Sequence, residues 1–335
     1  MATIHDVAAH AEVSCATVSR VLSRSAHVSE PTRRRVLRVI AELGYSPNAV
    51  ARSLRTATTR RLLVTLPNIA NPFFALILQG IEAGALQAGY SLVLGDTKRE
   101  PEREDAYAQM LLRREADGLI FLGRGLGKTL ETRVRQQRQL LPIVNGCDYN
   151  PALGVPSAHI DDAAAAQAAM DHLYSLGHRR IGVITGPEDS HLVRNRLRGA
   201  RGAARAYAAS ETLSVVIGDF SIESGIAGAA RLLAMPKAPS AIFCCSDEMA
   251  IGALNYAQRI GRLVPQQLSV VGFDDIRFAR YMFPALTTVA VPMLDIGRES
   301  VRLLLGVLDG SVTEPISITL PHRLEVRASS AAPGA

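Results

Sequence analysis

The side chains best able to do chemistry are three pairs of neighbouring acids, Asp161-Asp162, Asp247-Glu248 and Asp274-Asp275. A glycosidase uses two carboxylates, one as acid and one as base or nucleophile. Neighbours on a strand point to opposite faces, however, so each pair offers at most one carboxylate to a shared site. A second signal is Gly123-Arg124-Gly125-Leu126-Gly127-Lys128-Thr129. It nearly imitates a phosphate-binding loop, but that pattern needs glycine where this chain has Leu122, so the loop is one residue short. It reads instead as a flexible surface loop. Cys15, Cys147, Cys244 and Cys245 have neither CxxC nor metal-ligand spacing, and the adjacent Cys244 and Cys245 read as small core residues on a buried strand. There is no GxSxG, HExxH or Ser-His-Asp grouping. No catalytic residues, metal site or cofactor are expected.

Charge is more informative. Residues 1–61 contain ten Arg against four acids, and the remainder carries 27 basic and 27 acidic groups. The whole net charge of +6 therefore lies in the first fifth of the chain. A basic module on a neutral body expects a polyanion for the module alone. An enzyme of nucleoside or sugar metabolism with a basic N-terminal arm is the rival reading, but it leaves this segregation unexplained. With 335 residues, 48% of them hydrophobic, the chain can bury a sizeable core in more than one domain. No run of about 18 apolar residues suggests a membrane span. The N-terminus lacks the basic-then-apolar build of a secretory leader, so a cytoplasmic protein is expected.

Within the basic module, Thr3 can cap a helix from Ile4 to about Ala11, with Val7 and Ala8 inward. After the turn Glu12-Val13-Ser14, Ser14 can cap a second helix from Cys15 to about Leu22, with Val18 and Leu22 on one face. A third starts near Ser29 and Pro31, carries Val36, Ile40 and Leu43, and stops at Gly44. Two short helices joined by a three-residue turn read as helix-turn-helix, the third closing a small all-α domain. The second helix would enter the major groove. Cys15, Ala16 and Arg20 are then the base readers, and Arg20 can fork onto the O6 and N7 of guanine, worth about 1–3 kcal/mol of discrimination. Ser14, Thr17, Ser19 and the run Arg33-Arg34-Arg35 suit phosphate contacts; the run taken alone reads better as a solvated face, and the excess of ten Arg over four acids across the module tips the balance.

From Leu62 onward, strand-like and helical stretches alternate. Leu62–Leu66, Ser91–Gly95, Gly118–Leu122, Arg180–Thr185, Ala241–Cys244 and Leu268–Phe273 read as strands; Phe73–Ala88, Glu102–Arg114 and about Thr129–Arg138 read as helices. This rhythm predicts βαβ units and parallel sheets. About 270 residues of it exceed one comfortable sheet, so two Rossmann-like lobes are expected.

Several strings together resemble the lactose/galactose repressor family. They are Ile4-His-Asp-Val-Ala, Thr17-Val-Ser-Arg-Val-Leu22 and Gly44-Tyr-Ser-Pro-Asn-Ala-Val-Ala-Arg-Ser-Leu54 in the module. In the body they are Asn71-Pro-Phe-Phe74, Gly177-His-Arg-Arg-Ile-Gly182, Ser246-Asp247, Gly272-Phe-Asp-Asp275 and Leu286-Thr-Thr288. The likeness runs from about residue 3 to about 327. It implies a DNA-binding domain at 1–46, a hinge helix and linker at 47–61, a two-lobed effector-binding and dimerisation domain similar to periplasmic sugar-binding proteins at 62–327, and a disordered tail at 328–335. The chain would cross between lobes near residues 160, 290 and 321. Thr3 and Ser29 join the implied DNA contacts, with Asn48, Ala51, Leu54 and Arg55 in the hinge, where Leu54 would wedge into the minor groove. Without the resemblance, the hinge reads as a plain linker. The family often has glycine where this chain has Glu12, which would cost about 1–2 kcal/mol if the turn needs positive φ. Ser23 stands where Asn is common.

The implied effector contacts are Asn71, Phe73, Phe74, Arg196, Phe220, Ser246, Asp247 and Asp274, in a cleft beyond the carboxyl ends of the strands. Phe73 and Phe74 read equally as core, and Asp247 equally as a helix cap. Within the family the chain resembles the cytidine and purine repressors, through Pro67-Asn68-Ile69, Gly186-Pro187-Glu188, Arg196-Leu197 and Gly218-Asp219-Phe220. A nucleoside is the implied effector, with a pentose or other sugar as runner-up. Ser190 stands where the purine repressor has Arg, which counts against a free purine base. The C-terminal stretch has no leucine heptads, so a homodimer on a double-stranded palindromic operator is expected rather than a coiled-coil tetramer.

Overall fold

The structure is a computed structural model that describes residues 2–22, 27–46, 58–137 and 139–334. The chain divides into two compact units, Met1–Thr59 and Arg60–Ala335. Ser23 and the hinge positions Asn48, Ala51, Leu54 and Arg55 lie outside the described residues.

The first unit holds three helices, α1 (Ile4–His10), α2 (Cys15–Leu22) and α3 (Glu30–Glu42). Thr3 closes a full capping box on α1: its hydroxyl accepts from the Asp6 amide while the Asp6 carboxylate accepts from the Thr3 amide. The Ser14 hydroxyl accepts from the Thr17 amide at 3.2 Å and so opens α2. Val7, Ala8, Ala11, Val18, Val21, Val36 and Val39 form the core. The inward face of α2 thus runs through Val18 and Val21, with Leu22, expected inward, half-buried and packed against that core. In the tight turn, Glu12 sits at φ +51°. A side chain there costs about 1–2 kcal/mol, while glycine would add roughly 0.5–1 kcal/mol of backbone entropy. Glu12→Gly is therefore expected to stabilise this unit by about 0.5–1 kcal/mol, read as slower amide exchange at Val18 and Val36; unchanged protection would mean the strain is relieved elsewhere.

The second unit contains two open sheets. Lobe 1 is built on β1 (Arg61–Leu66), β2 (Ser91–Asp96), β3 (Gly118–Phe121), β4 (Ile143–Gly146) and β5 (Ser157–Ile160), with α4 (Pro72–Gln87), α5 (Pro101–Leu112) and α6 (Lys128–Gln136) between them. Lobe 2 is built on β6 (Ile181–Thr185), β7 (Leu213–Ile217), β8 (Ala241–Cys244), β9 (Ser269–Asp274) and β10 (Thr287–Ala290), with α7 (Asp162–Ser175), α8 (His191–Ala206), α9 (Ile222–Leu233) and α10 (Asp247–Arg259). Helix α11 (Met293–Asp309) returns to pack on α4 of lobe 1. Then β11 (Ser317–Leu320) joins the edge of the first sheet and β12 (Arg323–Glu325) the edge of the second. The orders are β11-β5-β4-β3-β1-β2 and β12-β10-β9-β8-β6-β7, and among the described strands only β12 is antiparallel to its neighbour. The lobe crossings follow β5, β10 and β11, as the expected positions near 160, 290 and 321 required.

Both faces of these parallel strands are covered, which is why they read as continuous apolar runs. Leu62, Val64 and Leu66 face one core layer and Leu63 the other.

The C-terminal stretch corrects an expectation. Residues 328–335 were expected to be a disordered tail, but the described part is stitched into lobe 2. The Val270 amide donates to Ser329 O at 2.8 Å, the Ser329 hydroxyl donates to Val270 O at 2.6 Å, and the Thr287 amide donates to that same hydroxyl oxygen at 2.8 Å. Ser329 is fully buried. Small polar residues carry no apolar signal; here they satisfy main-chain groups of β9 and β10 that would otherwise be buried unpaired.

Candidate functional site

In the first unit, burial of Val18 and Val21 leaves Ala16 and Arg20 exposed and one helical turn apart on α2. Both suit the base-reading role the sequence suggests. Cys15 is placed differently: it is half-buried, its Sγ 3.3 Å from His5 Nδ1 and turned toward α1. Ser14 and Thr17 meet through their hydroxyls at 3.0 Å, and Ser29 meets Thr32 in the same way at 2.9 Å. Ser14, Ser29 and Thr3 are exposed, and Thr17 and Ser19 are half-exposed. Arg34 pairs with Glu30 at 3.2 Å on the outer face of α3.

In the second unit, the loops after the strands enclose a cavity of about 70 Å³ between the lobes, open at its mouth. Such crevices beyond the carboxyl ends of parallel strands are the usual ligand sites of this architecture. Asn71, Phe73, Phe74, Arg196, Phe220, Ser246 and Asp274 all line it. Asn71 caps α4 by accepting from the Phe73 amide at 2.9 Å, and this turns Phe73 and Phe74 into the wall, edge to face at 5.1 Å. Both phenylalanines also belong to the core, so the two readings of them hold together. Phe220, at φ +72°, lies over Gly186, where an added Cβ would fall 2.2 Å from its ring.

Asp247 is the exception among the expected cleft residues. It does not line the cavity; its carboxylate accepts from the Ile276 amide at 2.8 Å and from the Thr288 hydroxyl at 2.5 Å, fully buried behind β9. Ser246, not Asp247, caps α10, accepting from the Met249 amide at 3.2 Å.

The floor of the cavity is an ionic cluster. Arg196 donates from Nε to Asp162 at 2.8 Å and from an Nη to Cys245 O at 2.7 Å, lies 3.7 Å from Asp274, and stacks 3.6 Å over the Phe273 ring. Burial works against its charge, but Asp162 and Asp274 outweigh it and hold the guanidinium firmly protonated. Asp274 stands at φ +118° at the end of β9, which aims it away from the sheet. Its neighbour Asp275 pairs with Arg327 at 2.6 Å, so the 274–275 pair does give the cavity one carboxylate only. Asp161 likewise caps α7 while Asp162 holds Arg196.

Sequence reasoning missed Asp162 as the main partner of Arg196. It also missed the lobe 1 residues Arg99, Glu104, Arg124 and Asp148, all of which line the cavity. Several of these reach across the cleft. Asp148 accepts from the Ser190 hydroxyl at 2.8 Å and the Leu192 amide at 2.9 Å, Arg99 donates to Asp219 O at 3.0 Å and lies 5.3 Å over the Phe220 ring, and Arg124 pairs with Asp189. Arg99, Arg124 and Asp148 each follow a strand of lobe 1, which is the signal that could have found them.

Burial pushes three carboxyls up: Asp162 to about 6, Asp247 to about 7, and Asp274 well above the ordinary aspartate value. A carboxyl whose folded pKa is raised makes the folded state bind more protons than the unfolded one. Its contribution to stability is complete below the unfolded value near 3.8 and is lost as pH rises through 6 to 7. Asp247→Asn keeps both hydrogen bonds, since the amide can accept from Ile276 and donate to Thr288. It is expected to flatten the fall in melting temperature between about pH 4 and 7; an unaltered slope would place the titrating group elsewhere.

Among the described residues, no helix is long and apolar enough to cross a membrane. Residues 3–48 match the model of the LacI family of bacterial regulatory proteins, and residues 170–330 match the periplasmic binding protein-like domain. The chain is 38% identical over 332 residues to the HTH-type transcriptional repressor CytR of Escherichia coli K12, covering 99% of this chain and 97% of that one. A structure described as the lac repressor dimer bound to operator and the anti-inducer ONPF superposes with a TM-score of 0.88 at 29% identity, covering 99% of each chain. The transcriptional regulator CelR in complex with cellobiose gives a TM-score of 0.73 at 32% identity, covering 98% of this chain and all of that one. With a helical head and two lobes of the periplasmic-binding-protein type, the chain belongs to the LacI family: it is a DNA-binding transcriptional repressor with an effector domain, not an enzyme.

Proposed function

We propose that two copies of the chain, paired through their bodies, hold a palindromic operator, and that a nucleoside bound between the lobes sets how firmly they hold it. The observation that carries the effector reading is the composition of the cavity. Asp274 presents an acceptor, and Arg196 the N–H groups not engaged by Asp162 and Cys245 O, to hydroxyl groups, beside the Phe73, Phe74 and Phe220 rings that can pack on a flat ring. That suits a molecule with a hydroxylated end and a planar end better than a sugar alone. The similarity to CytR and the operator-bound dimer of the lac repressor support the regulatory part. A sugar is the second reading, favoured by the cellobiose held by CelR.

On this reading, the ligand acts on the angle between lobes, because Arg196, Phe220, Ser246 and Asp274 belong to lobe 2, whereas Asn71, Phe73 and Phe74 belong to lobe 1. Linkage requires that a ligand which weakens operator binding must itself bind the operator complex less tightly. The test is to select a palindromic site from random DNA and measure binding at fixed salt across nucleosides, bases and pentoses. Weaker binding with one nucleoside identifies an inducer and stronger binding a corepressor. A response to pentoses alone would replace the nucleoside with the second reading, and purely non-specific DNA binding would overturn the operator.

A further inference from the structure

On four helices of this protein, exposed arginines are matched by an acid about one turn away. Arg34 pairs with Glu30 and Arg38 with Glu42 on α3, Arg103 with Glu100 at the start of α5, Arg135 with Glu131 on α6, and Arg298 with Asp295 and Arg302 with Glu299 on α11. Helix α8 is different: it holds five arginines and no acid. Arg196 is the buried one, engaged by Asp162 and Cys245 O, whereas Arg194, Arg198, Arg201 and Arg205 are exposed.

Packing fixes where these four point. Val193, Arg196, Gly199, Ala200, Ala203 and Ala204 form the buried face, seated so closely on α7 that a Cβ at Gly199 would fall 2.0 Å from Ala163 O. Steps of four, three and four residues then keep the exposed arginines within about 60° of one another, in a row about 16 Å long. Arg194 donates to Glu188 O at 3.0 Å; among the described residues no hydrogen bond or ion pair reaches the guanidinium of Arg198, Arg201 or Arg205.

The row costs the helix stability. Like charges one turn apart repel, and Arg194 stands in the positive first turn. Gly202, beside the row and one turn after Arg198, adds the penalty of a helix-interior glycine, yet a Cβ there would meet nothing within 4 Å. No neighbour requires that glycine, and it leaves a notch where a partner can approach the backbone. The chemistry of the face selects among polyanions. No large apolar side chain of α8 is exposed, so it lacks the anchors of a protein interface and the aromatic platforms that stack the bases of a single strand. A duplex backbone needs only the positive charges.

We propose that α8 holds the phosphate backbone of duplex DNA, a second DNA contact carried by the body and separate from that of the helical head. Such a contact is independent of sequence and falls steeply with salt, because each phosphate neutralised releases condensed counterions.

The deciding experiment titrates the full-length protein with a labelled duplex of random sequence, in salt from about 50 to 200 mM. Replacing Arg198, Arg201 and Arg205 together by Ala, which favours helix, should leave the melting temperature undiminished and make the slope of log affinity against log salt shallower by about three. Lys at the same three positions should restore the slope, since a phosphate contact needs the charge. A matched set of exposed arginines outside α8, Arg113→Ala, Arg133→Ala and Arg231→Ala, removes equal charge and should change the slope by less than about one. Gly202→Glu should weaken binding at low salt by placing an acid in the notch. An unchanged slope in the α8 variant, or equal losses in both sets, overturns the proposal. So does an α8 variant that keeps the DNA slope but no longer binds polyglutamate, which would assign the face to an acidic protein.

Discussion

Asp274→Asn is expected to lower effector affinity at least a hundredfold while leaving operator binding by the ligand-free protein unchanged. The carboxylate lies at the end of β9, lines the cavity, and stands 3.7 Å from Arg196. Two ligand hydroxyls that donate to its two oxygens favour its ionised form, and hydrogen bonds to a charged group are worth about 1.5–3 kcal/mol each. Asparagine keeps the shape and tolerates the positive φ of this position, but it loses the charge and one acceptor. The same change should not weaken the fold. Burial holds Asp274 well above the usual carboxylate range, so its ionised form is a cost to the folded state near neutral pH, and Arg196 retains Asp162 at 2.8 Å. The expected pattern is an equal or higher melting temperature, unimpaired operator binding, and no ligand response in calorimetry or in operator release. A normal response would mean that the ligand does not meet Asp274. A lower melting temperature together with weakened operator binding would mean that the residue serves the fold.

The contrast between Asp274 and Asp247 marks how far the sequence could be read. Both are acids that closely follow a core strand of lobe 2, Asp274 ending β9 and Asp247 opening α10 just after β8, and both belong to strings shared with the family. Strand-end position alone does not separate them. The separation comes from Thr288 and Ile276, distant in sequence, which engage Asp247 and leave Asp274 facing the cavity. The alternation of elements and the lobe crossings were legible because apolar periodicity is a local property of the chain. Arg196 was legible as a cleft residue, but its partner Asp162 lies 34 residues away across the α7–α8 contact, where no spacing rule applies. The glycines of the 123–127 loop suggested freedom, whereas Gly125 and Gly127 stand in close packing against α5 and Gly123 against Pro67. The end of the chain looked disordered because its hold on lobe 2 is made of hydrogen bonds from serines rather than of apolar burial.

Arg20→Ala is expected to relax base choice at one position in each operator half-site and to change the others little. Val18 and Val21 are buried in the head, which fixes the rotation of α2 and leaves Ala16 and Arg20 on its exposed side. Ala16 is too short to do more than touch a methyl group, so Arg20 is the longest donor on that face. A guanidinium bonded to the O6 and N7 of guanine discriminates by about 1–3 kcal/mol, or roughly 5- to 150-fold. The measurement is affinity for operators carrying each base at each position, with the salt dependence of each. Loss of preference at one position, with the rest of the pattern intact, identifies base reading. Arg34 supplies the contrast: it lies on the outer face of α3, paired with Glu30. Arg34→Ala should weaken all operators alike and lower the salt slope by about one if it meets a phosphate. If Arg20→Ala instead behaves as Arg34→Ala does, with uniform loss and a shallower salt slope, Arg20 holds the backbone and the base contacts must come from another part of α2. Specificity and affinity unchanged in both respects would remove α2 from the groove altogether.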